Sequence, residues 1–157
     1  ARGRGKLRHA YDDLAGAAMR KLREIGGEAA VQEFARDRIE RIVADVAPAR
    51  ETGSVADTVD RIADALTSAG FSANTRTVGA GMQICQHHCP VAHVAGEFPE
   101  LCEAETAMFT DLLGTHVQRL ATIANGDCAC TTHVPIPSDG DVQPTSPSPK
   151  SNRNVPR

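Results

Sequence analysis

Ser72-Ala73-Asn74-Thr75-Arg76-Thr77-Val78-Gly79-Ala80-Gly81-Met82-Gln83-Ile84-Cys85-Gln86-His87 is where the pattern of this 157-residue chain changes. Upstream, apolar residues recur every three or four positions. Here two short runs flank Gly79-Ala80-Gly81, a Gly-rich connection suited to a β-hairpin, so strands are expected over 72–78 and 82–87. Farther on, Pro99 stands in a first turn, where a helix tolerates it, and Leu101, Glu105, Met108, Leu112 and Leu113 repeat helically up to Gly114. Residues 115–124 and 127–134 then surround Asn125-Gly126, the dipeptide best suited to a type I′ turn because both positions take positive φ. Residues 71–134 therefore read as a small ββαββ unit.

Working back toward the N-terminus, Tyr11, Leu14, Ala18, Leu22 and Ile25 form one helical stripe, with Asp12 and Asp13 at its start and Gly26-Gly27 beyond its end. Acid in front and glycine behind suit a helix dipole and a left-handed cap. A second helix is expected from Glu28 to Val46, with Val31, Phe34, Ile39, Ile42, Val43 and Val46 on one face, Arg36/Glu40 and Asp37/Arg41 as ion pairs, and Pro48 as its stop. A third begins at Ser54, whose hydroxyl can cap the amide near Asp57, and carries Val55, Val59, Ile62 and Leu66 as far as Gly70. Residues 10–70 are thus helical, and the fold class is α+β: N-terminal helices followed by the ββαββ unit. The apolar stripes serve either as core or as a seam between two copies.

Charge separates the ends from the body. Residues 1–9 hold Arg2, Arg4, Lys6 and Arg8 without an acid, whereas between Ala10 and Val134 there are 18 acids against 10 bases. So acidic a body repels phosphate, which makes it a poor direct reader of nucleic acid. The last segment, 135–157, contains six of the nine prolines and few branched apolar residues, and is expected to be disordered. No stretch approaches the length of an apolar membrane span, and the basic start has no apolar run behind it. The expectation is a soluble cytoplasmic protein with no membrane contact.

The chemistry-bearing residues are five cysteines, Cys85, Cys89, Cys102, Cys128 and Cys130, spaced C-x3-C-x12-C-x25-C-x-C. An odd count without an export signal argues against a disulfide framework, and converging thiolates select zinc or an iron–sulfur cluster. Cys85 leaves the first hairpin and Cys89 precedes Pro90 in the next loop. Cys102 falls in a helix's first turn, and Cys128 and Cys130 share a face of the last strand, so four elements can meet at one site. The helix start is also expected to lower the pKa of Cys102. Tight C-x2-C pairs are missing, which leaves zinc as the second reading. His87, His88 and His93 are candidates for a nitrogen ligand, with Glu103 and Asp127 behind them. No Ser, His and acid arrangement completes a catalytic triad, and the glycine pairs lack a phosphate loop's context, so no enzyme is expected.

Cys85-Gln-His-His-Cys89-Pro-Val-Ala-His93, then Phe-Pro-Glu-Leu-Cys102-Glu-Ala-Glu, then Gly-Thr-His116-Val-Gln-Arg-Leu-Ala-Thr-Ile-Ala-Asn-Gly-Asp-Cys128-Ala-Cys130-Thr-Thr-His133 resembles the actinobacterial branch of the SufR family. Members are iron–sulfur-sensing repressors of the genes that assemble iron–sulfur clusters. The resemblance covers about residues 11–137 and implies a cluster, [4Fe-4S] or [2Fe-2S], on cysteines spaced C-x12-C-x27-C, which fall here on Cys89, Cys102 and Cys130. Cys85 and Cys128 are reserve ligands. It also implies a homodimer, with residues 10–70 as linker and dimerisation region and 71–134 as sensor. DNA is expected to be met only through a winged helix-turn-helix domain that this chain lacks; residues 1–9 read as a basic arm or the remnant of its wing. The competing readings are an iron–sulfur electron-transfer protein and a zinc-stabilised interaction module.

Overall fold

Ser54 accepts a hydrogen bond from the Asp57 N–H at 3.1 Å, and the helix that follows starts at Val55, as its capping sequence requires. The structure, a computed structural model, describes residues 3–137, with side chains from Ala10 onward. In chain order it contains α1 (Gly3–Ile42), α2 (Ala49–Thr52), α3 (Val55–Ser68), β1 (Ala73–Val78), β2 (Gly81–Gln86), α4 (Ala92–Glu97), α5 (Glu100–Leu113), β3 (Gln118–Ala121) and β4 (Cys130–Pro135). A single 3-10 turn, Ile123–Asn125, lies between β3 and β4. The architecture is α+β, with helices leading into a four-stranded antiparallel sheet of order β1-β2-β4-β3.

Register decides which side chains meet. Thr75 stands opposite Ile84, Ile84 opposite Thr132, and Thr132 opposite Arg119, a row across one face of the sheet. Gln86 and Cys130 form the neighbouring pair on the same face. This face is the covered one. Ile84 and Val134 join Ile39 and Val43 of α1, Val59, Ile62 and Leu66 of α3, and Phe109 and Leu113 of α5 in the main core. Because side chains alternate along a strand, Asn74, Cys85 and Thr131 form the matching row on the opposite face. A second, smaller core of Met19, Val31, Ala35, Val94, Ala95, Phe98 and Leu101 fastens α1 to α4 and the start of α5.

Several local expectations are corrected. The two N-terminal helices do meet at Gly27 (φ 70°, ψ −169°), whose positive φ breaks the helical run within α1, but the first of them begins already at Gly3, inside the basic stretch. Gly27 leaves the helical region for one residue, and the chain resumes its helix at once. Most of the first stripe is not core: Met19 faces inward with Leu22 packed partly against the same cluster, while Tyr11, Leu14 and Ile25 are 71%, 65% and 77% exposed. Phe34, 42% exposed, also falls off the buried row, which runs Val31, Ala35, Ile39. The short helices α2 and α4 were not expected. Asn125-Gly126 does not make a type I′ turn, since Gly126 alone of the two has positive φ (97°). Instead the Thr122 hydroxyl accepts the Asn125 N–H and the Asp127 carboxylate accepts the Thr122 N–H, so side chains shape a longer loop. Cys128 lies in that loop and not on a strand.

Pro135 completes β4, and the Ile136 N–H donates to the Ala80 carbonyl at 3.3 Å. Most of the segment expected to be disordered, 138–157, lies outside the described residues. Among the described residues, no helix is long and apolar enough to cross a membrane.

Candidate metal centre

Three cysteines approach one another from three elements. After β2 the chain keeps to the sheet edge, with the His87 N–H on the Ser72 carbonyl and the His88 N–H on the Phe71 carbonyl, and then delivers Cys89 half-buried against the main core. Cys102 occupies the first turn of α5, where its N–H bonds the Pro99 carbonyl at 3.0 Å. Cys130 opens β4 and is buried opposite Gln86. Each pair of these thiols is close enough for one to feel the other's charge: Cys89 with Cys130, Cys102 with Cys130, and Cys102 with Cys89.

The reserve cysteines are placed differently from this group. Cys85 is buried on the opposite face of the sheet, between Asn74 and Thr131, because it is one residue out of phase with Gln86. Cys128 is exposed in the loop before β4, where it borders an open groove shared with Cys89, His87, His88 and His93. His87 Nε2 lies 2.8 Å from Asn74 Oδ1. Glu103 is exposed, and Asp127 is engaged with Thr122. Among the described residues, no three His, Cys, Asp or Glu side chains stand as placed in an arrangement that could hold a metal ion.

Burial sets the chemistry of the thiols. It pushes Cys102 up to about 11, helped by the Glu105 carboxylate and by the other two thiols, with the Arg119 guanidinium pulling the other way. The lowering expected from the helix start is thus overturned, because desolvation and a buried acid outweigh a partial dipole charge. Burial also raises Cys130, opposed by the Ile123 N–H and by Arg119. Cys89 is raised by burial as well, opposed by the Val91 N–H. The Ile123 amide reaches Cys130 Sγ at 3.2 Å, aimed there by the Thr122–Asp127 loop.

Sequence reasoning missed the polar floor beneath the thiols. Arg119 Nη2 donates to Glu105 Oε1 at 2.7 Å, Arg119 Nη1 to Gln86 Oε1 at 3.3 Å, and Gln86 Nε2 to Glu105 Oε1 at 3.1 Å. The available signals were a lone arginine inside an apolar strand and a glutamate one helical turn after Cys102. By the kind of its donors, though not by their present spacing, the set suits a thiophilic metal group: three sulfurs, amides beside two of them, and a guanidinium acting on Cys102 and Cys130. Compared with family models, curated proteins and solved structures, the chain matches none.

Proposed function

We propose that this chain is the cluster-binding sensor region of a transcriptional repressor that controls iron–sulfur cluster assembly genes. Cys89, Cys102 and Cys130 hold the cluster. The observation that carries the reading is the mutual approach of these three thiols from a loop, a helix and a strand, while Cys85 lies on the opposite face of the sheet and Cys128 is exposed in a loop. When bound, an iron–sulfur cluster would supply electron exchange and iron–thiolate bonds, and its occupancy would track oxidation and iron supply.

The residues of the chain turn occupancy into geometry. Ligation ties the Cys89 loop, the first turn of α5 and the start of β4 to a common point. Two residues before Cys102, Glu100 is ion-paired with Arg23 of α1, whose guanidinium lies 4.7 Å from the Phe98 ring centroid. Movement of the first turn of α5 therefore reaches α1 directly. Metal binding of several kcal/mol suffices to bias such an element between two positions.

The partner is a second copy of the chain. The residues of the α1 stripe match in kind about Ala18: exposed Leu14 corresponds to Leu22, which is partly buried against the smaller core, and exposed Tyr11 to exposed Ile25. A two-fold axis at Ala18 sets each large residue against a large one and lets the helices approach at the small one. DNA is met through a winged-helix domain outside this chain, in the cytoplasm.

Anaerobic reconstitution with ferrous iron and sulfide tests the reading. A brown protein with bound iron and inorganic sulfide is expected, lost in Cys89→Ser, Cys102→Ser and Cys130→Ser and kept in Cys85→Ser and Cys128→Ser. A colourless protein holding stoichiometric zinc overturns it, as does loss of the cluster only in the last two variants.

A further inference from the structure

The buried charges beside the thiols call for an explanation of their own. Arg119 sits on the short strand β3, and its register opposite Thr132 turns it toward α5. Its side chain is 14% exposed and that of Glu105 is 9% exposed. An ion pair this deep loses as much in desolvation as it gains in attraction, and apolar residues would fill the space as well. The contacts of Arg119 reach past Glu105, however. Its Nη2 and Nε also donate to Thr106 Oγ1 at 3.1 and 3.3 Å, and that hydroxyl donates to the Cys102 carbonyl at 3.0 Å. Its Nη1 reaches Gln86, which faces Cys130 across the ladder. The guanidinium carbon lies 6.0 Å from the Phe109 ring centroid. A single side chain thus holds the turn that carries Cys102 and the ladder that carries Cys130.

We infer that Arg119 is the positioning residue of the thiol site, clamping α5 to the sheet and supplying the cation that thiolate-held metal needs on its buried side. The inference rests on the reading that Cys89, Cys102 and Cys130 bind metal. Three thiolates gathered over Glu105 would face a fourth negative charge, and Arg119 is the cation that acts on Cys102 and Cys130, while Arg38 acts on Cys89. Arginine suits the task because its planar fork engages Glu105, Thr106 and Gln86 together, which an ammonium does not.

The sign of two substitutions separates this role from plain scaffolding. Anaerobic titration with Co2+, read by thiolate-to-cobalt absorption, is made on the full chain and on Arg119→Gln, Arg119→Lys and Glu105→Gln. Arg119→Gln is expected to weaken cobalt binding by about tenfold or more, and Arg119→Lys by less because the charge stays. Glu105→Gln is expected to strengthen it, since the full charge of Arg119 then faces sulfur. A scaffolding ion pair predicts weakening in both Arg119→Gln and Glu105→Gln, and that result overturns the inference. So does unchanged binding in Arg119→Gln, or a wild-type chain that takes no cobalt. Circular dichroism of the metal-free proteins reports folding; should Arg119→Gln not fold, the opposite signs expected of Arg119→Lys and Glu105→Gln decide. In reconstituted protein, Arg119→Gln is also expected to lower the cluster's midpoint potential, because a lost cation disfavours the added electron. Cobalt on the thiols without a reconstituted cluster would refute the iron–sulfur reading and leave the role of Arg119 standing.

Discussion

Arg23 on α1 and Glu100 in the first turn of α5 form an ion pair whose carboxylate is buried and whose guanidinium covers Phe98. The pair is incompletely satisfied: Glu100 Oε2 and Arg23 Nε are buried without a hydrogen-bond partner. It joins the smaller core, around Met19, Phe98 and Leu101, to the turn that presents Cys102.

Glu100→Ala should therefore cost stability without exposing the main core. A buried charge left alone costs several kcal/mol, but the Arg23 side chain is 37% exposed and can turn to water. A loss of about 1–3 kcal/mol is expected in urea unfolding of the metal-free protein. Glu100→Gln, which keeps an acceptor for Arg23, should lose less. Equal losses in the two variants would mean that a neutral acceptor does nothing for Arg23, and an unchanged Glu100→Gln would mean that the pair's charge contributes nothing.

The raised thiols make a pH prediction with a definite sign. Cys89, Cys102 and Cys130 all lie above the ordinary thiol value of 9.0, Cys102 at about 11, with burial as the largest cause. Above pH 9 the unfolded chain releases thiol protons that the folded chain keeps, so unfolding gains ground. The metal-free protein under reducing conditions should hold full stability below that point. Its melting temperature should fall as pH rises toward 11, and Cys102→Ala should flatten the slope. A slope identical in that variant would show that Cys102 carries none of the linkage.

What the sequence made legible follows from the range of the interactions involved. The Ser54 cap, the left-handed Gly114 after α5 and the Gly79-Ala80-Gly81 connection each depend on neighbours within a few residues, and each falls at or next to its expected position. Asn125-Gly126 misled because Thr122 and Asp127, just outside the dipeptide, compete for the same backbone amides. Period two was enough to place Cys85 and Gln86 on opposite faces, but only the sheet order shows that Gln86 and Cys130 share the covered one. The Arg119–Glu105–Gln86 network was not legible. Its members come from β3, α5 and β2, and no local pattern marks three polar residues that meet only after the sheet closes over α5.

The α1 stripe gives the last prediction. A periodicity of three and four does not tell core from interface, because both bury the same face of a helix. The position of Met19 removes the core reading for part of the stripe: it packs with Val94 and Phe98, and Leu14 and Ile25 are left exposed. In an antiparallel pair centred on Ala18, Leu14 is buried twice by symmetry. Leu14→Asp should then cost roughly 3 kcal/mol or more, about a hundredfold in the dimer dissociation constant measured by sedimentation equilibrium. The melting temperature of the dissociated protein should hardly change, since Leu14 touches neither core cluster. A wild-type chain that sediments as a monomer at high concentration, or a Leu14→Asp variant that dimerises as tightly as wild type, would remove the second copy from this face.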